Sequence, residues 1–183
     1  AEKFLTQRFG DWMSHKVYTF ISDGGIQEEI SQGAGRIAGY LGLNNLVMFF
    51  DSNDIQLSTM VDEVTVEDTA AKYEAWGWRV VTVDGNNVDE LRGALMKAQQ
   101  EQEKPFLIIG KTVRGKGALT DDGSSFERQV STHGQPMSKA GASVEKTIIN
   151  LGGDPNDPFR VFPETKALYD RILEEKRKSV AAK

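Results

Sequence analysis

Asp23 and Asn53 are the side chains of this sequence best suited to sharing one metal ion, a carboxylate and an amide oxygen thirty positions apart. With one backbone carbonyl and two phosphate oxygens they would complete a shell for Mg²⁺, which favours octahedral oxygen ligation shared with a substrate or cofactor phosphate. Gly24 and Gly25 follow Asp23 directly. Lacking side chains, they let backbone N–H groups approach a phosphate closely, and a helix N-terminus behind them adds partial positive charge. Short Gly/Asp motifs recur by chance, so the same residues also read as a tight turn in which Asp23 caps a helix. Spacing alone leaves both readings open. Further along, Lys111–Gly117 reads K-T-V-R-G-K-G, three cations among glycines. That composition suits an anion, although the spacing is not that of a P-loop. His133, beside Gly134 and after this cationic loop, is a further candidate, because an imidazole titrates near neutral pH and can move protons. A solvated loop histidine is its alternative.

The elements that must position these residues follow from periodicity. Val17–Ile21 and Leu46–Phe50 are apolar runs rich in β-branched and aromatic residues, expected as buried strands. Between them, Ile26–Leu41 places Ile30, Ala34, Ile37, Ala38 and Leu41 at helical spacing. A strand–helix–strand crossover links parallel strands, so Asp23 and Asn53 fall just past the carboxyl ends of two neighbours, the edge where open parallel sheets bind ligands. Arg79–Val83 and Phe106–Ile109 read as two more strands, flanking a helix over Val88–Gln100 capped by Asn86–Asn87. Residues 1–9 read as a helix and Gly10–Lys16 as a loop in which His15 is solvated. Gly33, Gly35 and Gly39 weaken the helix that carries them and are expected to serve close packing. Ser58–Val66 is expected as a loop and Glu67–Trp76 as a helix ended by Gly77, with Trp76 and Trp78 in packing roles. Ala118–Ala142 lacks periodicity, and segments of this length are usually functional or mobile. A helix over Val144–Leu151, a turn at Gly152–Pro158 and an amphipathic helix over Pro163–Lys178, with Leu168, Ile172 and Leu173 inward, close the chain.

The stretch S-D-G-G-I-Q-E-E-I-S…D-S-N-D-I-Q-L-S resembles the thiamine-diphosphate-binding motif, and its flanks resemble the transketolase family. The matching pieces are A-E-K-F-L at 1–5, L-G-L-N-N-L at 41–46, K-Y-E-A-W-G-W at 72–78, V-D-G at 83–85, K-P-F-L-I-I-G-K-T at 104–112 and H-G-Q-P-M at 133–137. The resemblance implies an α/β fold, an open, mostly parallel sheet with helices on both faces. It further implies binding of thiamine diphosphate with Mg²⁺ (or Ca²⁺ or Mn²⁺), and transfer of a two-carbon ketol unit between sugar phosphates in the cytoplasm. Carried over by position, Asp23, Asn53 and the carbonyl of Ile55 are the implied metal ligands. Gly24 is implied at the diphosphate, Leu57 against the thiazolium ring, and Glu28 near a subunit contact. His133 is implied at the diphosphate and the substrate side of the cofactor. Two departures stand out: Ser22 replaces the first glycine of Gly-Asp-Gly, tolerable in ordinary strand backbone, and Arg114 stands where the family carries an apolar residue over the cofactor. Arg114 either alters the pocket or reaches a phosphate. Ala118–Val130 also diverges from the family.

Composition narrows the alternatives. The 183 residues are 39% hydrophobic and 27% charged, ordinary for a globular chain, with a net charge of −5 that argues against electrostatic nucleic-acid binding. No run approaches the ~18 apolar residues of a membrane span, and the absence of cysteine excludes disulfides and thiolate metal sites. On the resemblance, residues 1–183 are expected to be a single partial domain. Upstream strands and the pyrimidine-binding domain would lie elsewhere, the latter supplied across a homodimer or by a companion chain, so that this chain alone is inactive. Rival readings within the same chemistry are a deoxyxylulose-phosphate synthase, a phosphoketolase or a 2-oxo acid dehydrogenase α subunit. Outside it stand a non-catalytic paralogue and a generic nucleotide-binding module. The last lacks G-x-G-x-x-G and Walker patterns.

Overall fold

Four apolar runs form one parallel sheet: β1 (Val17–Ser22), β2 (Leu46–Ser52), β5 (Arg79–Asp84) and β6 (Phe106–Lys111), in the order β1-β2-β6-β5. These are the elements of a computed structural model that describes residues 1–182. Side chains alternate across the two central strands, so each face buries its own set. On one face Met48, Phe50, Leu107 and Ile109 pack with Ile26, Ala38, Tyr73 and Trp78 from α2 (Asp23–Gln27), α3 (Glu29–Tyr40), α4 (Thr69–Ala75) and the turn after it. On the other, Val47, Phe106 and Ile108 pack against Ala94 and Ala98 of α5 (Val88–Gln100). Helices therefore cover both faces, the arrangement expected of the open parallel sheet.

Because all four strands run the same way, Ser22, Ser52, Asp84 and Lys111 end at one rim. The opposite end is tied by Lys16, whose ammonium donates to the carbonyls of Asn44 at 2.7 Å and Glu101 at 2.8 Å. Asn87 caps α5 as expected, its side-chain oxygen accepting from the N–H groups of Asp89 and Glu90.

Several sequence expectations need correction. Val17–Ile21 forms a strand but not a buried one: β1 pairs only with β2 among the described residues, and Phe20 is 79% exposed. The helix expected over Ile26–Leu41 starts earlier and is broken. Glu28 is extended (ψ 134°), separating α2 from α3, and Gln32 covers the freed carbonyl of Gln27 by a 3.0 Å hydrogen bond. Most of the apolar stripe on α3 also faces outward. Ile30 is 82% exposed and Ile37 and Leu41 are exposed too, while Gly35 and Ala38 turn inward. The reason is steric. The helix approaches the core through its small residues: the indole N–H of Trp78 donates to the Gly35 carbonyl at 2.8 Å, and α3 lies directly on the backbone at Trp76. Trp76 and Trp78 are thus packing residues, as expected. Trp78→Phe keeps a ring but removes that donor and part of the buried area. It should cost about 2 kcal/mol in urea unfolding.

The stretch expected as a loop over Ser58–Val66 carries more structure. A two-residue turn at Leu57–Ser58, with Ser58 at φ 68°, joins β3 (Ile55–Gln56) to β4 (Thr59–Met60), and a 3₁₀ turn follows at Val61–Glu63. Within the unstructured expectation for Ala118–Ala142 there are a 3₁₀ turn at Val130–Thr132 and a short α6 (Met137–Ala140). The chain divides into two compact units, one of Ala1–Lys116 with Glu127–Ala140, the other of Gly117–Phe126 with the chain from Gly141 onward. The second unit holds α7 (Val144–Asn150) and α8 (Pro163–Ala181). Of the residues expected inward on α8, only Ile172 is partly buried, and Leu168 and Leu173 are exposed. So small a unit has little apolar surface with which to cover them. No helix among the described residues is long and apolar enough to cross a membrane.

Candidate cofactor and metal site

The rim of the sheet brings Asp23 and Asn53 together. Register pairs Ser22 with Asp51, so the first residue of α2 stands beside the residues that leave β2. Ser22 has ordinary strand backbone (φ −103°) and caps α2, its hydroxyl oxygen accepting from the Gly25 N–H at 3.4 Å. Its difference from glycine is therefore harmless to the turn. Asp23 is 2% exposed, and its carboxylate accepts the backbone N–H of Asn53 at 2.9 Å. Asn53, 6% exposed, accepts the N–H of Ile55 on its side-chain oxygen at 3.2 Å. That closes a tight turn over Asp54, whose left-handed backbone (φ 66°) aspartate tolerates better than most residues. Gln27 locks the arrangement by donating to the Asp23 carbonyl at 2.9 Å and to the Gln56 side chain at 2.6 Å. Lys111 steadies the end of β2 by donating to the Ser52 hydroxyl at 2.8 Å.

Its surroundings disfavour a negative charge on Asp23. Burial, the largest influence, pushes its carboxyl above the ordinary value. Asp54 and Asp51 push the same way, against a downward pull from the Asn53 N–H and from Lys111. Beside it Gly24 is open: a Cβ added there would meet no protein atom within 4 Å, so packing does not require the glycine. Among the described residues there is no group of three or more His, Cys, Asp or Glu placed to hold a metal. A cation here would thus draw on amide, carbonyl and phosphate oxygens as well as carboxylate, a donor set that suits Mg²⁺.

The second part of the site is the segment around His133. His133 follows the 3₁₀ turn and donates its N–H to the Val130 carbonyl at 3.0 Å. Its Nδ1 is buried without a hydrogen-bond partner, as are Oε2 of Glu2 and the hydroxyl of Tyr73. Gly134 has φ 84°, and a Cβ there would lie 3.5 Å from Cδ1 of Leu57. Leu57 at the tip of the β3–β4 turn is therefore next to the His133–Gly134 segment. Arg114 and Asn53 line one cleft of about 580 Å³ that is largely apolar, with Phe20, Phe49 and Ile108 among its walls, whereas Asp23 lines a separate one with Gln27, Asp54 and Lys111. The guanidinium of Arg114 is directed at Thr132, donating through Nε to the hydroxyl at 3.2 Å and through an amino group to the carbonyl at 2.9 Å. Glu28, which the resemblance implies near a subunit contact, is exposed at the break between α2 and α3. Sequence reasoning missed Thr132, Gln27 and Gln56. Nothing in S-T-H-G marks the threonine, whereas the glutamines lie inside the two halves of the motif itself.

The family described as "Transketolase, thiamine diphosphate binding domain" matches residues 1–182. The chain belongs to that family. It is similar to transketolase 2 of Xanthobacter flavus, at 37% identity over 93% of this chain and 24% of that protein. It is also similar to the transketolase of Bacillus subtilis (strain 168), at 36% identity over 80% of this chain and 22% of that protein. Among solved structures, the transketolase of Campylobacter jejuni superposes with a TM-score of 0.72 at 30% identity, covering 85% of this chain and 23% of that one. The transketolase from Leishmania mexicana gives 0.79 at 24% identity, over 93% of this chain and 24% of its own, a likeness of fold. The chain spans about a quarter of the length of the curated relatives it matches. For a transketolase-family domain, the buried carboxylate, the open glycine and the unpartnered imidazole nitrogen are all compatible with a diphosphate-bearing cofactor.

Proposed function

We propose that this chain holds the diphosphate end of thiamine diphosphate, together with a divalent cation, for a transketolase moving a two-carbon ketol unit from a ketose phosphate to an aldose phosphate. The observation that carries this reading is the buried Asp23 carboxylate, bonded to the Asn53 N–H at the sheet rim beside the open Gly24. Asp23, Asn53 and the carbonyl of Ile55 would hold Mg²⁺, or Ca²⁺ or Mn²⁺, since all three accept hard oxygen donors. Gly24 would offer its N–H to the diphosphate at the start of α2. Leu57 would give an apolar wall to the thiazolium ring. His133, with Nδ1 buried and unpaired, would orient a substrate hydroxyl or exchange a proton with it. When bound, the cofactor supplies the nucleophilic carbon and the electron sink, and the protein supplies position and polarity. A second subunit of the same kind, or a companion chain, would contribute the pyrimidine-binding part.

Calorimetric titration of thiamine diphosphate, with that part present, tests the reading. Binding is expected with Mg²⁺ and should weaken at least about tenfold when the metal is removed with EDTA. Equal affinity with and without metal, or none in either case, would rule out the assignment of Asp23 and Asn53.

A further inference from the structure

We infer that Arg114 is a positioning residue, a strap that fixes the His133 segment before any ligand arrives. Arg114 by itself makes three hydrogen bonds to this segment. Its guanidinium donates to the hydroxyl of Thr132 at 3.2 Å and to the carbonyl of Thr132 at 2.9 Å, and its own carbonyl accepts the N–H of Arg128 at 2.8 Å. Both ends of the 128–132 stretch are thus held by one residue that leaves the rim of the sheet three positions after β6. Thr132 is well placed to receive the strap. It is 5% exposed, and its hydroxyl donates to the Gln129 carbonyl at 2.7 Å, which leaves the oxygen free to accept from Arg114. Arg128 adopts left-handed backbone (φ 60°), a conformation that a non-glycine residue keeps only where surrounding contacts impose it. His133 comes next in the chain, its N–H donating to the Val130 carbonyl at 3.0 Å.

The chemistry is specific to arginine. A planar guanidinium serves a hydroxyl and a carbonyl of one residue in a fixed fork, which a lysine ammonium does with far less geometric control and an apolar side chain not at all. A charge among glycines, readable in sequence as a phosphate ligand, is in this fold engaged by the protein itself. Preordering the imidazole removes part of the ordering cost that ligand binding would otherwise carry. That consequence rests on the role proposed above for His133, whereas the strap itself does not.

The chain has two histidines, so each imidazole can be followed separately by NMR, with His15 as the internal control. In Arg114→Met, the His133 imidazole signals should move towards the positions of a free loop histidine. Amide protection at 129–134 should fall about tenfold or more, while His15 and the amides of Asp23 and Asn53 stay unchanged. Arg114→Lys should recover only a minor part, and Thr132→Val should reproduce the change in weaker form if Arg114→Met folds poorly. Affinity for thiamine diphosphate with Mg²⁺ should drop about 5- to 20-fold in Arg114→Met, about 1–2 kcal/mol by the usual conversion. Wild-type protection and His133 signals in both Arg114→Met and Thr132→Val would overturn the strap. Loosening of the segment without loss of affinity would overturn its link to the cofactor. The NMR measurements need no cofactor, so a wild-type chain that binds none would count against the proposed function and leave the strap standing.

Discussion

Asp23→Asn should lower the affinity for thiamine diphosphate and Mg²⁺ by about 100-fold or more while making the unliganded chain more stable. Both effects come from one buried charge. Asparagine has nearly the same shape and can still accept the Asn53 N–H, so the local hydrogen bond survives. What disappears is the negative charge, which burial and the nearby Asp51 and Asp54 make costly in the free protein. The melting temperature of the unliganded variant should therefore rise by a few degrees, roughly the effect of 1 kcal/mol in a chain of this size. Binding moves the other way. Loss of an outer-shell partner of a metal ligand costs about 10- to 100-fold, and loss of a ligand's own charge belongs at or beyond the top of that range. Adding cofactor and Mg²⁺ should raise the wild-type melting temperature by mass action and leave that of the variant unmoved. An Asp23→Asn chain that binds within threefold of wild type, or melts lower without ligand, contradicts this account.

The contrast between Asp23 and Arg114 shows what could be read from the chain and what could not. Asp23, Asn53 and Ile55 meet because a strand–helix–strand unit places their positions at one rim, and that unit was visible in the apolar runs and in the glycines between them. The boundaries of α5 were equally plain, since an asparagine cap and an unbroken helical pattern agree there. Burial was much less legible. Ile30, Ile37 and Leu41 make a proper helical stripe, yet α3 turns its small residues inward, because contact area with Trp76 and Trp78 decides the face and periodicity cannot see it. β1 has the composition of an interior strand and, among the described residues, pairs on one side only, because pairing depends on which strands are present rather than on the run itself. The partner of Arg114 was hidden for a third reason. Thr132 is eighteen positions away across a stretch with no periodic signal, so only the folded chain identifies it.

Gly39→Ala should destabilise the fold by about 3 kcal/mol or more, whereas Gly33→Ala six residues earlier in the same helix should stabilise it by about 0.5–1 kcal/mol. The two changes are identical in intrinsic helix preference, each replacing glycine with the best helix former. They differ in surroundings. A Cβ at Gly33 would meet nothing within 4 Å, but at Gly39 it would stand 1.8 Å from the carbonyl oxygen of Trp76 and 2.8 Å from its carbon. Those are backbone atoms at the end of α4, so no side chain can rotate away. The turn is held as well, with Gly77 at φ 91° and the Trp78 N–H donating to the Tyr73 carbonyl at 3.1 Å. Either α3 must lift off the core or the turn must shift, and both disturb the cluster in which Ala38, Tyr73 and Trp78 pack with Ile26 of α2. Since Ile26 anchors the short helix that begins at Asp23, the damage should reach the rim: the folded fraction of Gly39→Ala should bind thiamine diphosphate and Mg²⁺ more weakly than wild type, and Gly33→Ala should not. Urea unfolding of the two variants side by side decides the matter, and equal stabilities would mean that α3 does not rest on Trp76 as described.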